Sequence, residues 1–425
     1  VGKFSLPSYN WTGTVKRNFI LNVFDGAIFA FAMNFAALNT VIPVYIKKIG
    51  GTNLAVGLIP VIWIIGFHLP QIFTANYVRR HSEKKRIVMF TAFMQRLPWL
   101  LLSLLSFFVI YKVDTQLGLL IFFVGFLLAS LGGGMNLPAW FDLLTKITPT
   151  HIRGRLFAFR VTLGAVMGIF AGYASKQVLD NVQYPANFSF LFGVTFLVMM
   201  ISYLFLGLLK EEKVNTAAKA IHWKEFLKGL PQILKQEKNY RNYLIADVLM
   251  ILAGMANAFY TVYAFEKFSL TSGYAGDFTI VMMTATVFAS LLFGFLADKY
   301  GHRINLFFGA LFTAIACLLA IFTQTLFLYY SVFVFSAMTL ALIQVSRITI
   351  IAELSPEEET STYVSLTNVI TVPFVLSGIF AGWLADLFGY IPVFVLAGFF
   401  AVLSAYWFLF IMKEPRFHQS TNLSR

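Results

Sequence analysis

The sequence predicts an all-α membrane protein with twelve spanning helices, and three observations carry that prediction. Of 425 residues, 59% are apolar and 12% are charged, against about a quarter charged in a soluble domain. Mean hydropathy is +0.76. Apolar stretches of about 20 residues recur from Phe19 to Met412, each long enough to cross about 30 Å of hydrocarbon as a helix. The short alternating strands of a membrane barrel are absent from the pattern.

The spans are expected at 18–46, 54–78, 87–111, 117–145, 156–179, 187–209, 242–265, 275–297, 304–323, 326–352, 362–387 and 391–412. An even number puts both termini on one side. Segments on that side hold 24 of the 32 Lys and Arg, and the opposite segments hold five: Lys47, Lys48, Lys112, Lys176 and Lys267. Cationic loops stay cytoplasmic, so both termini are expected there, in a multi-pass protein of the cell inner (plasma) membrane. The same bias explains the net charge of +13, as a topology signal and a contact with the anionic lipid of the bilayer. Basic residues spread over membrane loops make no nucleic-acid footprint.

The longest connection joins the sixth and seventh spans. In it Trp223, Phe226, Leu227, Leu230, Ile233 and Leu234 share a helical face, with Lys224, Lys228, Lys235 and Lys238 on the remainder. This reads as a basic amphipathic helix on the membrane surface, or as a short helix packed on the bundle. The expected organisation is a six-helix bundle over 1–209, a linker over 210–240 and a second six-helix bundle over 241–425. The halves are weakly self-similar. Arg17-Asn18-Phe19 opens the first span and Arg241-Asn242-Tyr243 the seventh; Gly168-Ile169-Phe170-Ala171-Gly172 recurs as Gly378-Ile379-Phe380-Ala381-Gly382. Two six-span halves of one orientation are the arrangement of parallel-repeat secondary transporters.

The single cysteine, Cys317, and six scattered histidines give no zinc-ligand spacing. No P-loop, HExxH or dinucleotide glycine pattern occurs. No cofactor, no metal and no enzymatic activity are expected.

Gly294-Phe-Leu-Ala-Asp298-Lys299-Tyr-Gly301-His-Arg303 fits the G-x3-D-[RK]-x-G-x-[RK] motif of the major facilitator superfamily, between spans eight and nine. Gly382-Trp-Leu-Ala-Asp386 is a related piece in span eleven, and Pro149-Thr-His-Ile-Arg153-Gly154-Arg155 looks like the superfamily's loop between spans four and five. On these residues the chain resembles that superfamily over nearly its whole length. The resemblance implies alternating access, in which two rigid halves rock about a central site. The first-half motif copy departs from the pattern: Arg79 stands at the aspartate position. The G-P-x-x-G-G pattern of superfamily antiporters is also missing; Gly164, Gly168 and Gly172 stand in span five as a close-packing stripe.

The resemblance further implies that span two meets span eleven, and span eight meets span five, on the cytoplasmic side. Asp298 would then face Arg153 and Arg155. Arg79 and Arg80 would face Glu357, Glu358 and Glu359, a charge-swapped gate; acids at a helix start also suit its dipole. Asp142 is expected to latch onto Arg153 or Arg155.

Ionisable groups inside spans are costly and default to function. Asp25 in span one suits a proton-coupling site, or a structural pair with an arginine; Asp247 in span seven is its counterpart. Arg96 in span three binds an anionic substrate or pairs with Asp25 if it faces the cavity. Arg160 and Arg347 lie in spans five and ten, where they snorkel or cap carbonyls. His68 is a titratable group beside Pro70. Asn34, Asn39, Asn136, Asn257, Tyr260, Tyr263, Gln344 and Asn368 lie nearer mid-membrane; such amides and phenols suit a neutral or zwitterionic substrate, or bond helix to helix.

The expected function is secondary active transport of an unknown small organic solute by a monomer, with a proton as coupling ion. A multidrug or lipid-like exporter and a non-transporting receptor or scaffold are the alternatives.

Overall fold

The computed structural model describes residues 13–211, 233–356 and 360–416. Twelve helices among them are long and apolar enough to span: α1 (Gly13–Phe35), α2 (Asn53–Ala75), α3 (Lys84–Ile110), α4 (Thr115–Ile147), α5 (Thr150–Asn181), α6 (Ala186–Gly207), α7 (Lys238–Phe268), α8 (Tyr274–Tyr300), α9 (His302–Phe322), α10 (Leu326–Leu354), α11 (Tyr363–Phe388) and α12 (Tyr390–Ile411). They form two six-helix bundles. In the first, α1 packs on α5 and α6, and α4 on α2 and α3. In the second, α10 packs on α8 and α9, and α12 on α7 and α9. Most of the linker expected over 210–240 lies outside the described residues.

Apolar side chains all round these helices fit burial on one face and lipid on the other. Phe90, Phe170, Phe295, Phe322 and Phe327 are exposed on the outer faces. The polar minority stays inside, where Ser, Thr and Asn bond across helices: Tyr45 with Ser106, Asn305 with Ser346, Thr313 with Thr339.

Three spanning segments are interrupted. The stretch expected as one helix over 18–46 ends at Phe35 and restarts as a short helix, Val41–Ile49. Pro43 falls in the first turn of the new helix, where its missing N–H costs nothing. α7 is broken by a 3-10 turn at Gly254–Ala256, and α11 by another at Val372–Leu376, which contains Pro373.

The bundles meet where α5 lies on α8 and α2 on α11. These are the expected helix pairs, but the contacts lie at the other end of the molecule, away from Gly13 and Arg416. There the repeated Gly-Ile-Phe-Ala-Gly segments let backbones touch. Around Gly172 and Gly276, a Cβ on Gly276 would sit 2.5 Å from the Gly172 carbonyl oxygen. One on Gly382 would sit 2.5 Å from the Asn53 carbonyl oxygen, and one on Gly57 would strike the Gly378 carbonyl. Polar contacts add to this seal. Asp386 accepts the backbone N–H of Asn53 and Leu54 at 2.8 and 2.9 Å, capping the start of α2 from the other half. Lys176 meets Asp277 at 2.7 Å and Lys47 meets Glu266 at 3.5 Å. At the near end a Cβ on Gly154 of α5 or on Gly294 of α8 would meet no described atom within 4 Å. Among the described residues the close contacts between the halves therefore lie at the far end, away from the end that carries Gly13 and Arg416.

Replacing Gly57 by Ala is expected to part the halves at the far end, because overpacking of this kind costs ~1–3 kcal/mol. In a Cys317→Ser background, a cysteine at Asn39 should then gain about tenfold in reactivity toward a membrane-impermeant maleimide, the shift that ~1.4 kcal/mol produces. Unchanged reactivity would show that the glycine contact does not hold this end shut.

Candidate substrate cavity and its charge pairs

Each half carries one carboxylate deep in its first helix, and each meets an arginine. In the first half Asp25 Oδ2 lies 3.2 Å from Arg160 Nη1 of α5. Ser202 of α6 donates to Asp25 Oδ1 at 2.8 Å. Arg96 of α3 donates through Nη2 to that same Ser202 hydroxyl at 3.0 Å, and to the Met199 and Ala92 carbonyls at 2.9 Å each. Its guanidinium lies between the rings of Phe29 and Tyr203, at 5.7 and 5.5 Å. Arg160 also donates to the backbone carbonyl and side-chain oxygen of Asn22, and sits over Trp140 at 4.8 Å. One carboxylate is thus shared, directly or through a hydroxyl, by two guanidinium groups.

Space for Arg160 comes from Gly26. A Cβ at Gly26 would overlap the Arg160 guanidinium, so the absence of a side chain admits the arginine to Asp25. In the second half Arg347 of α10 grips Asp247 of α7 with Nε at 3.2 and 3.1 Å and Nη2 at 2.9 Å. Thr371 of α11 accepts a further bond from Nη2 at 3.3 Å. This fork holds the charge more rigidly than a lysine would. In the opposite half His68 Nδ1 bonds the Ile64 carbonyl at 2.9 Å.

The remaining expected cavity residues divide. Asn39 and Asn257 lie at the interruptions of the first and seventh spans, where backbone groups are freed to meet a ligand. The Asn39 carbonyl accepts from Thr261 of the other half at 2.6 Å, and Asn257 Oδ1 accepts from Ser336 at 3.3 Å. Asn34 bonds the Ala30 carbonyl and lies beside Gly168 and Met283, where the halves join. Asn136 accepts from Thr91 at 3.0 Å. Gln344 is exposed, one turn from Arg347, and Asn368 is half-buried. Tyr260 does not face a cavity: it is fully buried, 3.2 Å from Cys317 Sγ and stacked on Phe394. Tyr263 packs among Tyr329, Tyr390 and Phe394. Arg96 likewise does not reach a cavity, because carbonyls, Ser202 and two rings enclose it at 2% exposure.

At the near end the expected cross-half ion pairs are not made among the described residues. The latch of Asp142 with Arg153 or Arg155 is not made. Asp142 meets Lys84 of α3 at 3.5 Å, while Arg153 donates to the Thr148 and Thr145 carbonyls. Arg155 is exposed. Asp298 does not reach these arginines; its carbonyl and that of Ala297 accept from Arg416, and Lys299 lies over Tyr300. Arg80 is exposed. Glu357, Glu358 and Glu359, together with the Arg79 side chain, lie outside the described residues.

What organises this end instead is an acid just after the last helix of each half. Glu211 accepts the backbone N–H groups of Lys84 and Lys85 at 2.9 and 2.8 Å and pairs with Lys146 at 2.8 Å, so it caps α3. Glu414 accepts the Arg303 N–H at 3.1 Å, capping α9 beside Gly301 at φ +90°. A side chain at Gly301 would strike the Glu414 carboxylate. Arg303 in turn bonds the Met412 carbonyl at 2.8 Å. The two acids differ. Burial works against the Glu211 charge, yet the bonds from Lys146, Lys84 and Lys85 hold its carboxyl below the usual range. Burial pushes Glu414 up; among the described residues only the Arg303 N–H bonds it, and Glu353 is near. Neither acid stands out in the sequence, but a signal exists: Lys210-Glu211 and Lys413-Glu414 repeat one dipeptide at the same place in the two halves. For Ser202 and Gly26 no such signal exists.

A separate groove of about 360 Å³ runs along α8 and α10, walled by Val281, Phe288, Leu292, Val334 and Met338. It holds none of these charged groups.

Comparison with known proteins follows the same lines. The family model described as Major Facilitator Superfamily matches residues 24–273 and 243–424. Among solved structures, a D-xylose–proton symporter is similar at TM-score 0.70 and 15% identity, over 95% of this chain and 99% of that one. A bacterial homologue of the iron transporter ferroportin, in an inward-facing state, is similar at TM-score 0.68 and 14% identity, over 93% and 98%. A bacterial homologue of the human lysosomal transporter Spinster, inward-facing and unoccupied, is similar at TM-score 0.66 and 13% identity, over 93% and 95%. At these identities the likeness is one of fold.

Two outcomes follow from the pairs and caps. Gly26→Ala should expel Arg160 and strand Asp25, lowering the melting temperature as Arg160→Gln does; uncoupling a buried pair costs ~3–5 kcal/mol. A double-mutant cycle on Asp25→Asn and Arg160→Gln should show the double variant well above the sum of the singles, and additivity would refute the pairing. Glu211→Gln should lower the melting temperature at neutral pH. Because the folded-state pKa is depressed, the stabilisation is complete above the ordinary carboxylate range and vanishes as pH falls through the folded value. Melting curves of wild type and Glu211→Gln should therefore converge only as pH falls well below the ordinary carboxylate range; a constant gap would exclude the charge as the cause.

Proposed function

This chain belongs to the major facilitator superfamily, and on that premise we propose that it is a secondary active transporter moving a small organic solute by alternating access, coupled to protons. The observation that supports this reading is the asymmetry of the two ends. Cross-half contacts join one, at the other a Cβ on Gly154 of α5 or Gly294 of α8 would meet no described atom, and an ion pair stands in each half between them. With both termini cytoplasmic in the cell inner membrane, this is the inward-open state of a monomer. The halves over 1–209 and 241–425 then move as bodies, tethered by 210–240. Breaking the contacts of Asp386, Lys176 and Lys47 opens the outer side, while Asp298, Arg153 and Arg155, with Arg79, Arg80 and the glutamates 357–359, close the inner one.

Asp25 is the coupling carboxylate in this scheme. It is buried, and its charge is held by Arg160 and Ser202. Protonation removes its hold on Arg160 and frees α1 to shift against α5. A proton and the pair with Arg160 thus compete for one carboxylate, which ties conformation to protonation.

A thermal-stability screen of purified protein tests the reading, at about pH 5.5 and about pH 8, with sugars, amino acids, nucleosides, organic acids and lipophilic cations. A solute that binds only the folded state raises the melting temperature by mass action. The expected result is a hit whose size changes with pH in wild type and not in Asp25→Asn. A hit with the same pH response in Asp25→Asn removes Asp25 from coupling, and a stable protein with no hit in any class overturns small-solute transport.

A further inference from the structure

Five charged side chains lie about two or more helical turns from the ends of their helices: Asp25, Arg96, Arg160, Asp247 and Arg347. That is three guanidinium groups against two carboxylates among the described residues, an excess of one positive charge. Neither carboxylate is free to meet a cation. Asp25 is shared between Arg160 and, through Ser202, Arg96; Asp247 is held in the Arg347 fork.

The pairs are also oriented. In the first, Arg160 keeps 13% of its side-chain surface exposed and Asp25 only 5%. In the second, Arg347 keeps 23% and Asp247 only 6%. A guanidinium at this depth meets water only through a cavity between the halves, because lipid would not solvate it. Each half therefore presents the positive end of its pair to that cavity. Arg160 has donors left over: only Nη1 bonds protein, and Nε and Nη2 lie over the bare Cα of Gly26 with no hydrogen-bond acceptor among the described residues. Gln344, exposed beside Arg347, adds an amide.

We propose that the central cavity takes a small organic anion, whose carboxylate or phosphate oxygens bridge Arg160 of the first half and Arg347 of the second. This rests on the alternating-access reading and names its substrate class. The physical argument concerns closure. When the halves close on the cavity, water leaves and the exposed edges of the Arg160 and Arg347 guanidinium groups lose their solvation, which is costly at low dielectric. An anion between the two guanidinium groups offsets that cost and adds charge-assisted hydrogen bonds from both sides. A neutral solute offers neither. The amide-rich pattern that pointed to a neutral or zwitterionic solute counted residues without their partners; paired as they are here, the carboxylates no longer balance the arginines.

The test uses full-length purified protein at constant ionic strength. Succinate, benzoate and glycerol 3-phosphate are each compared with their uncharged counterparts succinamide, benzamide and glycerol. The expected result is a rise in melting temperature with at least one anion and none with its counterpart. Apparent affinity should fall at least tenfold in Arg347→Gln/Asp247→Asn and in Arg160→Gln/Asp25→Asn, which remove each pair as a neutral unit, and Arg347→Lys should recover part of it. If the double variants do not fold, the wild-type comparison and Arg347→Lys still decide. Stabilisation by a neutral or cationic solute, with every anion inert, overturns the anion site and leaves transport intact. Silence from every solute class takes the transport reading down with it.

Discussion

The architecture depends on how closely two backbones can approach. Between lipid-facing helices there is no water to expel, so helices associate through van der Waals packing and interhelical bonds. Where α5 meets α8 and α2 meets α11, glycine removes the side-chain layer and places carbonyl against Cα. Such a contact is all or nothing: a Cβ-sized separation forfeits most of its attraction. That makes the far end a latch with two states, shut or parted, which a two-bundle machine needs. Because Gly-Ile-Phe-Ala-Gly occurs once in α5 and once in α11, the same device serves both seams.

Charge is placed to respect that hinge. Buried ions are costly unless paired, so each bundle keeps its deep carboxylate within its own six helices: Asp25 with α5 and α6, Asp247 with α10. The ion pairs that do cross between the halves, such as Lys176 with Asp277, lie near helix ends, where water reoccupies them on opening. A cross-half pair at mid-membrane would be left without partner or solvent during rocking. The near end follows the same rule, since Glu211 and Glu414 each cap a helix of their own bundle. They stiffen the rims that must separate and rejoin.

Much of this was legible in the sequence. Spans follow from hydropathy because a lipid-facing helix leaves no polar alternative, and the repeat of the glycine segments marked the two halves. The motif from Gly294 to Arg303 located the turn between α8 and α9, where Gly301 at positive φ leaves room for Glu414. The interruption after Phe35 was missed because Asn39, Thr40 and Pro43 sit in an otherwise apolar run, and hydropathy does not register a break in hydrogen bonding. Side-chain facing was the larger gap. In a soluble helix polar residues point outward, but in these helices every direction is apolar, so periodicity could not separate lipid, neighbour and cavity. Tyr260 and Arg96 were assigned by depth to a cavity that neither reaches. The partner of Asp25 lies 135 positions away, and a single sequence carries no record of that contact.

The pairs also decide which charge matters. An intramembrane aspartate seen alone reads as an acid ready to bind a cation or a proton. Asp25 is neither alone nor outward: Gly26 gives up a side chain so that Arg160 can lie over it, and Ser202 ties Arg96 to the same oxygen cluster. The carboxylates are spent inside the bundles, and what remains toward the cavity is guanidinium. The two roles proposed for this site, proton coupling and anion recognition, would act on one equilibrium. Protonating Asp25 releases Arg160 from its internal partner and leaves it free for an external one. An anion at the Nε and Nη2 edge of Arg160 would meet donors that Asp25, held by Nη1, does not use. Under the proposed scheme a proton on Asp25 removes a negative charge beside Arg160 and so favours an anion there, and by linkage the anion favours the proton equally.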